Sequence, residues 1–80
     1  MKTYTYRVWG MLYGETGPAR SCEAVCFRAA QDWIVGELAA KTEAAQRWHV
    51  LVRADEERAV RFDVTVQPEG EIRVSAPWIH

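Results

Sequence analysis

The sequence contains no apolar run of the roughly 18 residues that a membrane-spanning helix needs, and Met1 to Gly10 lacks the apolar stretch of a secretion signal. The expectation is a cytoplasmic protein with no membrane association. Cysteine is scarce, with only Cys22 and Cys26, and the two histidines, His49 and His80, lie far from both in sequence. That set does not make the four-ligand pattern of a structural zinc site, so no metal is expected. On a helix the two thiols would fall one turn apart on one face and pack as small apolar groups.

Neither sign of charge is in excess. Ten Lys and Arg stand against eleven Asp and Glu, for a net charge of -1 and a pI near 6.1. This balance offers no global attraction to nucleic acid, so any such binding would need a local basic patch. The motifs of catalysis are missing as well. Gly10, Gly14 and Gly17 are not followed by the lysine and hydroxyl residue of a phosphate loop, and there is no nucleophile elbow. Cys26 and His49 are expected on different faces of the fold, which removes the one thiol and imidazole pair worth considering. The chain reads as a non-enzyme without a cofactor.

What is present is enough to fold. At 49% hydrophobic and 26% charged residues the composition is globular, and 80 residues suffice for a single domain, residues 1–80, that buries about 60 to 65% of its surface. Lys2 to Trp9 alternates Tyr4, Tyr6 and Val8 with Thr3, Thr5, Arg7 and Trp9, the period of a strand. The glycine-rich GMLYGETGPARS that follows reads as a loop or hairpin tip. An alanine-rich segment ending near Ala45 has helical spacing, with Cys26, Ala29, Ala30, Trp33, Ile34, Gly36 and Ala40 as its apolar stripe and Arg28, Gln31, Asp32 and Ala39 opposite. A helix capped by Ser21 and one starting near Phe27 both fit. The second leaves Ala19 to Cys26 free to form a strand. Gly36 marks either a close approach to the sheet or mere tolerance, and Thr42 a break before the last turn.

Three further strands are expected. Trp48 to Arg53 alternates, the charged ADEER forms a hairpin tip, and Val60 to Val66 and Ile72 to Val74 flank a turn at Gln67-Pro68-Glu69-Gly70. Trp78 and Ile79, in the tail from Ala76 to His80, are expected to fold back onto the body. The fold class is α+β, a two-layer sandwich of one main helix on an antiparallel sheet of four or five strands, in the order β(β)αβββ. Its core would join Tyr4, Tyr6, Val8, Val50, Val52, Val60, Phe62, Val64, Val66, Ile72 and Val74 to the helix stripe.

One helix covers one face, and the other is where function is sought. By phase that open face carries Arg7, Trp9, His49, Leu51, Arg53, Arg61, Asp63, Thr65, Glu71, Arg73 and Ser75. Arginine offers a planar five-donor fork and tryptophan a large rigid surface, the two side chains most enriched at interface hot spots. The bland alternative is cross-strand pairing of Arg61 and Arg73 with Asp63 and Glu71 on a solvated surface. The expected partner-binding residues are Arg7, Trp9, His49, Arg53, Arg61, Asp63 and Arg73, with Asp55, Glu56 and Glu57 at the acidic tip as a docking point for a basic surface.

The reading is a small protein-binding module that occupies a surface of a larger complex. A small RNA or single-stranded DNA binder is the alternative, weakened by the thin supply of outward aromatics. A homodimer through edge strands or the Trp9 surface is a third. In size and helix-on-sheet pattern the chain resembles the small accessory proteins of phages and mobile elements, anti-CRISPR inhibitors among them. That resemblance implies inhibition by binding and carries over no residue.

Overall fold

A computed structural model describes residues 1–10, 14–15, 19–41, 46–55 and 57–79. They form an α+β structure of one helix and antiparallel strands: β1 (Lys2–Gly10), β2 (Gly14–Glu15), β3 (Arg20–Ala24), α1 (Phe27–Lys41), β4 (Gln46–Ala54), β5 (Val60–Val66), β6 (Ile72–Val74) and β7 (Trp78–Ile79). Across the sheet the order is β2-β1-β4-β5-β6, with β3 also paired to β1 and β7 also paired to β5. The meander of β4, β5 and β6 follows the sequence expectation. The short β2 and β7 extend the expected strand order, and β1 lies inside the sheet between β3 and β4. No helix among the described residues is long and apolar enough to cross a membrane.

The two versions of residues 19–26 resolve in favour of the strand. Tyr4 stands opposite Cys22 and Tyr6 opposite Arg20 in the β1 and β3 ladder, and α1 starts at Phe27, with the Ala30 N–H bonded to the Cys26 carbonyl at 3.1 Å. The thiols are therefore not one turn apart on a helix. Cys22 is half-buried on β3, and Cys26 is exposed at the bend that follows. Burial pushes the Cys22 thiol above its ordinary pKa.

The helix is turned away from the expected stripe. Its buried residues are Ala30, Gln31, Ile34 and Leu38, whereas Trp33 is 46% exposed and Cys26, Gly36 and Ala40 are exposed. Ile34 and Leu38, the larger aliphatics four residues apart, set the phase. Trp33, too large to bury fully beside a sheet, moves to the flank and meets Tyr6 edge-on at 6.2 Å. Gly36 faces open space, so no close approach requires it. The i,i+4 pairs Arg28 with Asp32 at 3.5 Å and Glu37 with Lys41 at 3.2 Å line the outer side. Thr42 lies outside the described residues.

Strand alternation holds in β1, β4 and β5. Tyr4, Tyr6, Val8, Val50, Val52, Phe62, Val64 and Val66 are buried with Ala24, Ala30, Ile34 and Leu38. Phe62, fully buried, takes Phe27 edge-on at 6.1 Å. Ile72 and Val74 do not join this core, being 39% and 42% exposed. The reason is width: a helix about 10 Å across cannot roof five strands spaced about 4.8 Å apart. A groove of about 480 Å³ remains between Arg28, Gln31, Asp32 and Val35 of α1 and Val74 to Pro77.

The two turns that frame the open face follow local chemistry. Between β5 and β6 the Gln67 N–H bonds the Glu71 carbonyl at 2.8 Å and the Gly70 N–H bonds the Gln67 carbonyl at 2.9 Å. Gly70 takes φ +92° there. This is a three-residue hairpin loop, with Pro68 entering and glycine in the left-handed position. At the tip between β4 and β5, Asp55 adopts φ 45°, a conformation that aspartate tolerates better than most residues.

Candidate functional site

The registers place the expected residues in rows across the sheet face opposite the helix. Arg7 stands opposite Leu51, Leu51 opposite Arg61, and Arg61 opposite Trp78. The next row runs Trp9, His49, Asp63. Thr5 faces Arg53, and Thr65 faces Arg73. The strand phases read from the sequence thus put Arg7, Trp9, His49, Arg53, Arg61, Asp63 and Arg73 on one surface.

Four of the seven form a contiguous cluster, and a fifth member comes from β7. The Arg61 guanidinium lies 5.9 Å from the Trp9 ring centre and 5.5 Å from that of Trp78. Its Nη2 is 2.8 Å from His49 Nδ1. His49 Nδ1 is also 2.8 Å from Asp63 Oδ1, and Trp9 tilts over the imidazole at 6.0 Å. Asp63 is fixed from its own backbone: its N–H donates to Ser75 Oγ and its carbonyl accepts from the Ser75 N–H, both at 2.9 Å. The side chains of His49, Asp63 and Arg61 are only 15%, 22% and 28% exposed, although no helix among the described residues covers them.

The cluster holds more donors than it can satisfy internally. His49 Nδ1 can either accept from Arg61 Nη2 or donate to Asp63 Oδ1, so one of the two short contacts always lacks its hydrogen bond. Arg61 Nε is buried without an acceptor, since Asp63 Oδ1 at 3.7 Å is beyond hydrogen-bond reach. A guanidinium framed by two indoles keeps its plane and loses little rotamer freedom on docking.

The remaining candidates are dispersed. Arg73 lies at the sheet margin with Glu71 Oε1 at 3.3 Å from its Nε. Arg53 borders a recess of about 300 Å³ shared with Thr3, Thr5, Arg7, Leu51 and Asp55. At the acidic tip, Glu57 is drawn to Lys2 of β1 at 3.3 Å, Asp55 is exposed, and Glu56 lies outside the described residues. Cys26 and His49 are separated by the sheet, since Cys26 borders a recess with Tyr4, Phe27 and Val60 on the helix side.

Trp78 is the residue that strand reasoning missed. The tail does fold back, but it does so by pairing with β5, which sends Trp78 to the open face beside Arg61. The available signal was the period of two: Trp78 and Ile79 must point to opposite faces, and only Ile79 matches the apolar phase of Val60. No family model, curated protein or solved structure matches this chain.

Proposed function

We propose that the protein is a non-enzymatic binding module whose open sheet face docks onto a larger protein, with Trp9, Arg61 and Trp78 as the anchor and His49 and Asp63 as its support. The observation that carries this reading is Arg61 held between two tryptophans on the sheet face opposite the helix. Solvated arginines gain little from such ordering. An interface gains a great deal, because an anchor already in its bound rotamer avoids the ordering cost of association. The module would act by occupying its partner's surface, as an inhibitor or accessory subunit does. Arg7 and Arg53 beside the recess supply charge at the rim, where they steer approach.

Trp78 also favours a second reading, since two outward indoles flanking an arginine suit stacking of unpaired bases. Against it stand the net charge of -1 and the engagement of Arg61 with Asp63, which offsets the charge that a phosphate would seek. The test is capture with the tagged protein from a nuclease-treated lysate of its source cells, beside the Trp9→Ala/Trp78→Ala variant. The expected outcome is a stoichiometric protein lost in the variant, with binding that changes little between roughly 50 and 200 mM salt. Phosphate-driven binding would fall by orders of magnitude over that range. Unchanged capture by a folded variant would remove the open face as the site.

A further inference from the structure

The margin of the sheet at β6 presents a second surface, separate from the tryptophan cluster. Because Gln67 bonds Glu71 and Asp63 bonds Ser75 across the β5 and β6 pair, the alternation of an antiparallel ladder directs the backbone groups of Glu71, Arg73 and Ser75 toward β5. The N–H and C=O of Ile72 and Val74 then point outward, along an edge that no described strand covers. Their side chains are the exposed apolar pair on the helix side, next to the groove beneath α1. On the open-face side the same edge carries Glu71 and Arg73, already 3.3 Å apart.

We propose that this edge pairs with its own copy, β6 against β6, antiparallel about a two-fold axis at Ile72. Charge selects this register. Centring the axis on Arg73 would set the two arginines directly opposite each other, where like charges destabilise a sheet. Centring it on Ile72 sets each Glu71 opposite the other copy's Arg73, so that two intrachain and two interchain ion pairs close a ring of alternating sign. Ile72 exchanges both backbone bonds with its symmetry mate, and Val74 falls opposite Gly70, which has no side chain to obstruct it. Ile72 and Val74 of both copies would then cover one another on the helix side.

Pro68 and Pro77 bracket the edge, which confines pairing to this window and keeps the strand from recruiting arbitrary partners. So short an edge buries an area at the low end of specific interfaces, below about 1,200 Å², and the dimer is correspondingly weak and reversible. A two-fold axis perpendicular to the sheet keeps both helices on one side. Both tryptophan clusters then share the other side, giving a bivalent face without blocking either site.

The experiment is sedimentation equilibrium or light scattering over a dilution series reaching millimolar protein, with circular dichroism as the check on folding. The wild type is expected to move from 9.2 kDa toward twice that mass as concentration rises. Arg73→Glu, which opposes Glu71 with a second carboxylate, should raise the dissociation midpoint about tenfold. The swap Glu71→Arg/Arg73→Glu should restore it. Ile72→Pro deletes an outward donor without touching the β5 ladder and should abolish the dimer while preserving the fold. A monomer at every concentration, a dimer indifferent to Arg73→Glu or Ile72→Pro, or failure of the charge swap to restore association would each overturn the proposal. Partner capture through the open face reads out separately, since none of these substitutions touches the Trp9, Arg61 and Trp78 cluster.

Discussion

Trp33 and Trp78 are exposed to nearly the same extent, 46% and 43%, yet one belongs to the helix layer and the other to the open face. Trp33 rests its edge on Tyr6, itself part of the core, and its exposure follows from an indole too large for a single helix to bury. Trp78 rests on a guanidinium. Partial exposure alone does not mark a binding residue. What distinguishes the two surfaces is what lies beneath the ring: apolar packing in one case, an ordered charged network in the other.

The comparison is broken most severely by removing what both faces share. Phe62 is fully buried at the centre of the sheet, and Phe62→Ala should cost about 3 to 5 kcal/mol. That is most of the stability expected of so small a domain. Chemical denaturation should show a shifted midpoint, and partner capture should fail along with the fold.

On the open face the corresponding change is Asp63→Ala, which strips the hydrogen-bond partner from His49 and the ion-pair partner from Arg61. It should cost about 1 to 2 kcal/mol and weaken partner binding by more than its effect on folding. A loss of binding no larger than the loss of stability would make the network structural only. On the helix side, Gly36→Ala enters open space and should stabilise by about 0.5 to 1 kcal/mol, raising the thermal midpoint and leaving binding unchanged.

The smallest effect concerns pH. Burial pushes the Tyr6 hydroxyl above its ordinary value, although the nearby Arg20 guanidinium pulls the other way. The folded state therefore favours the protonated phenol. This contribution to stability is whole below about pH 10, the ordinary tyrosine value, and is lost as pH rises through the folded-state value. A pH series of denaturation midpoints should fall above pH 10, and Tyr6→Phe should fall less steeply.

How much of this was legible in the sequence depends on the interaction that decides each element. Strand phase was readable in β1, β4 and β5 because a period of two is enforced by burial on one face alone, and it carried six of the seven open-face candidates with it, Arg73 lying on β6. The phase of α1 was less readable: in an alanine-rich segment the stripe is faint, and Trp33 drew it to the wrong side of Ile34. β3 has the composition RSCEA, poor in strand formers, and exists because β1 offers it an edge. Trp78 was hidden for a related reason, since its place depends on pairing with Arg61 from seventeen residues away in the chain. Ile72 and Val74 matched the apolar pattern but lay beyond the reach of one helix, a limit of width that periodicity does not express.

The most direct measurement is oxidative footprinting of the tryptophans with and without the captured partner, read by mass spectrometry. Trp78 and Trp9 are expected to become protected in the complex while Trp33, equally exposed when free, is oxidised at an unchanged rate. Protection of Trp33 with Trp78 unchanged would contradict it and place the interface on the helix layer.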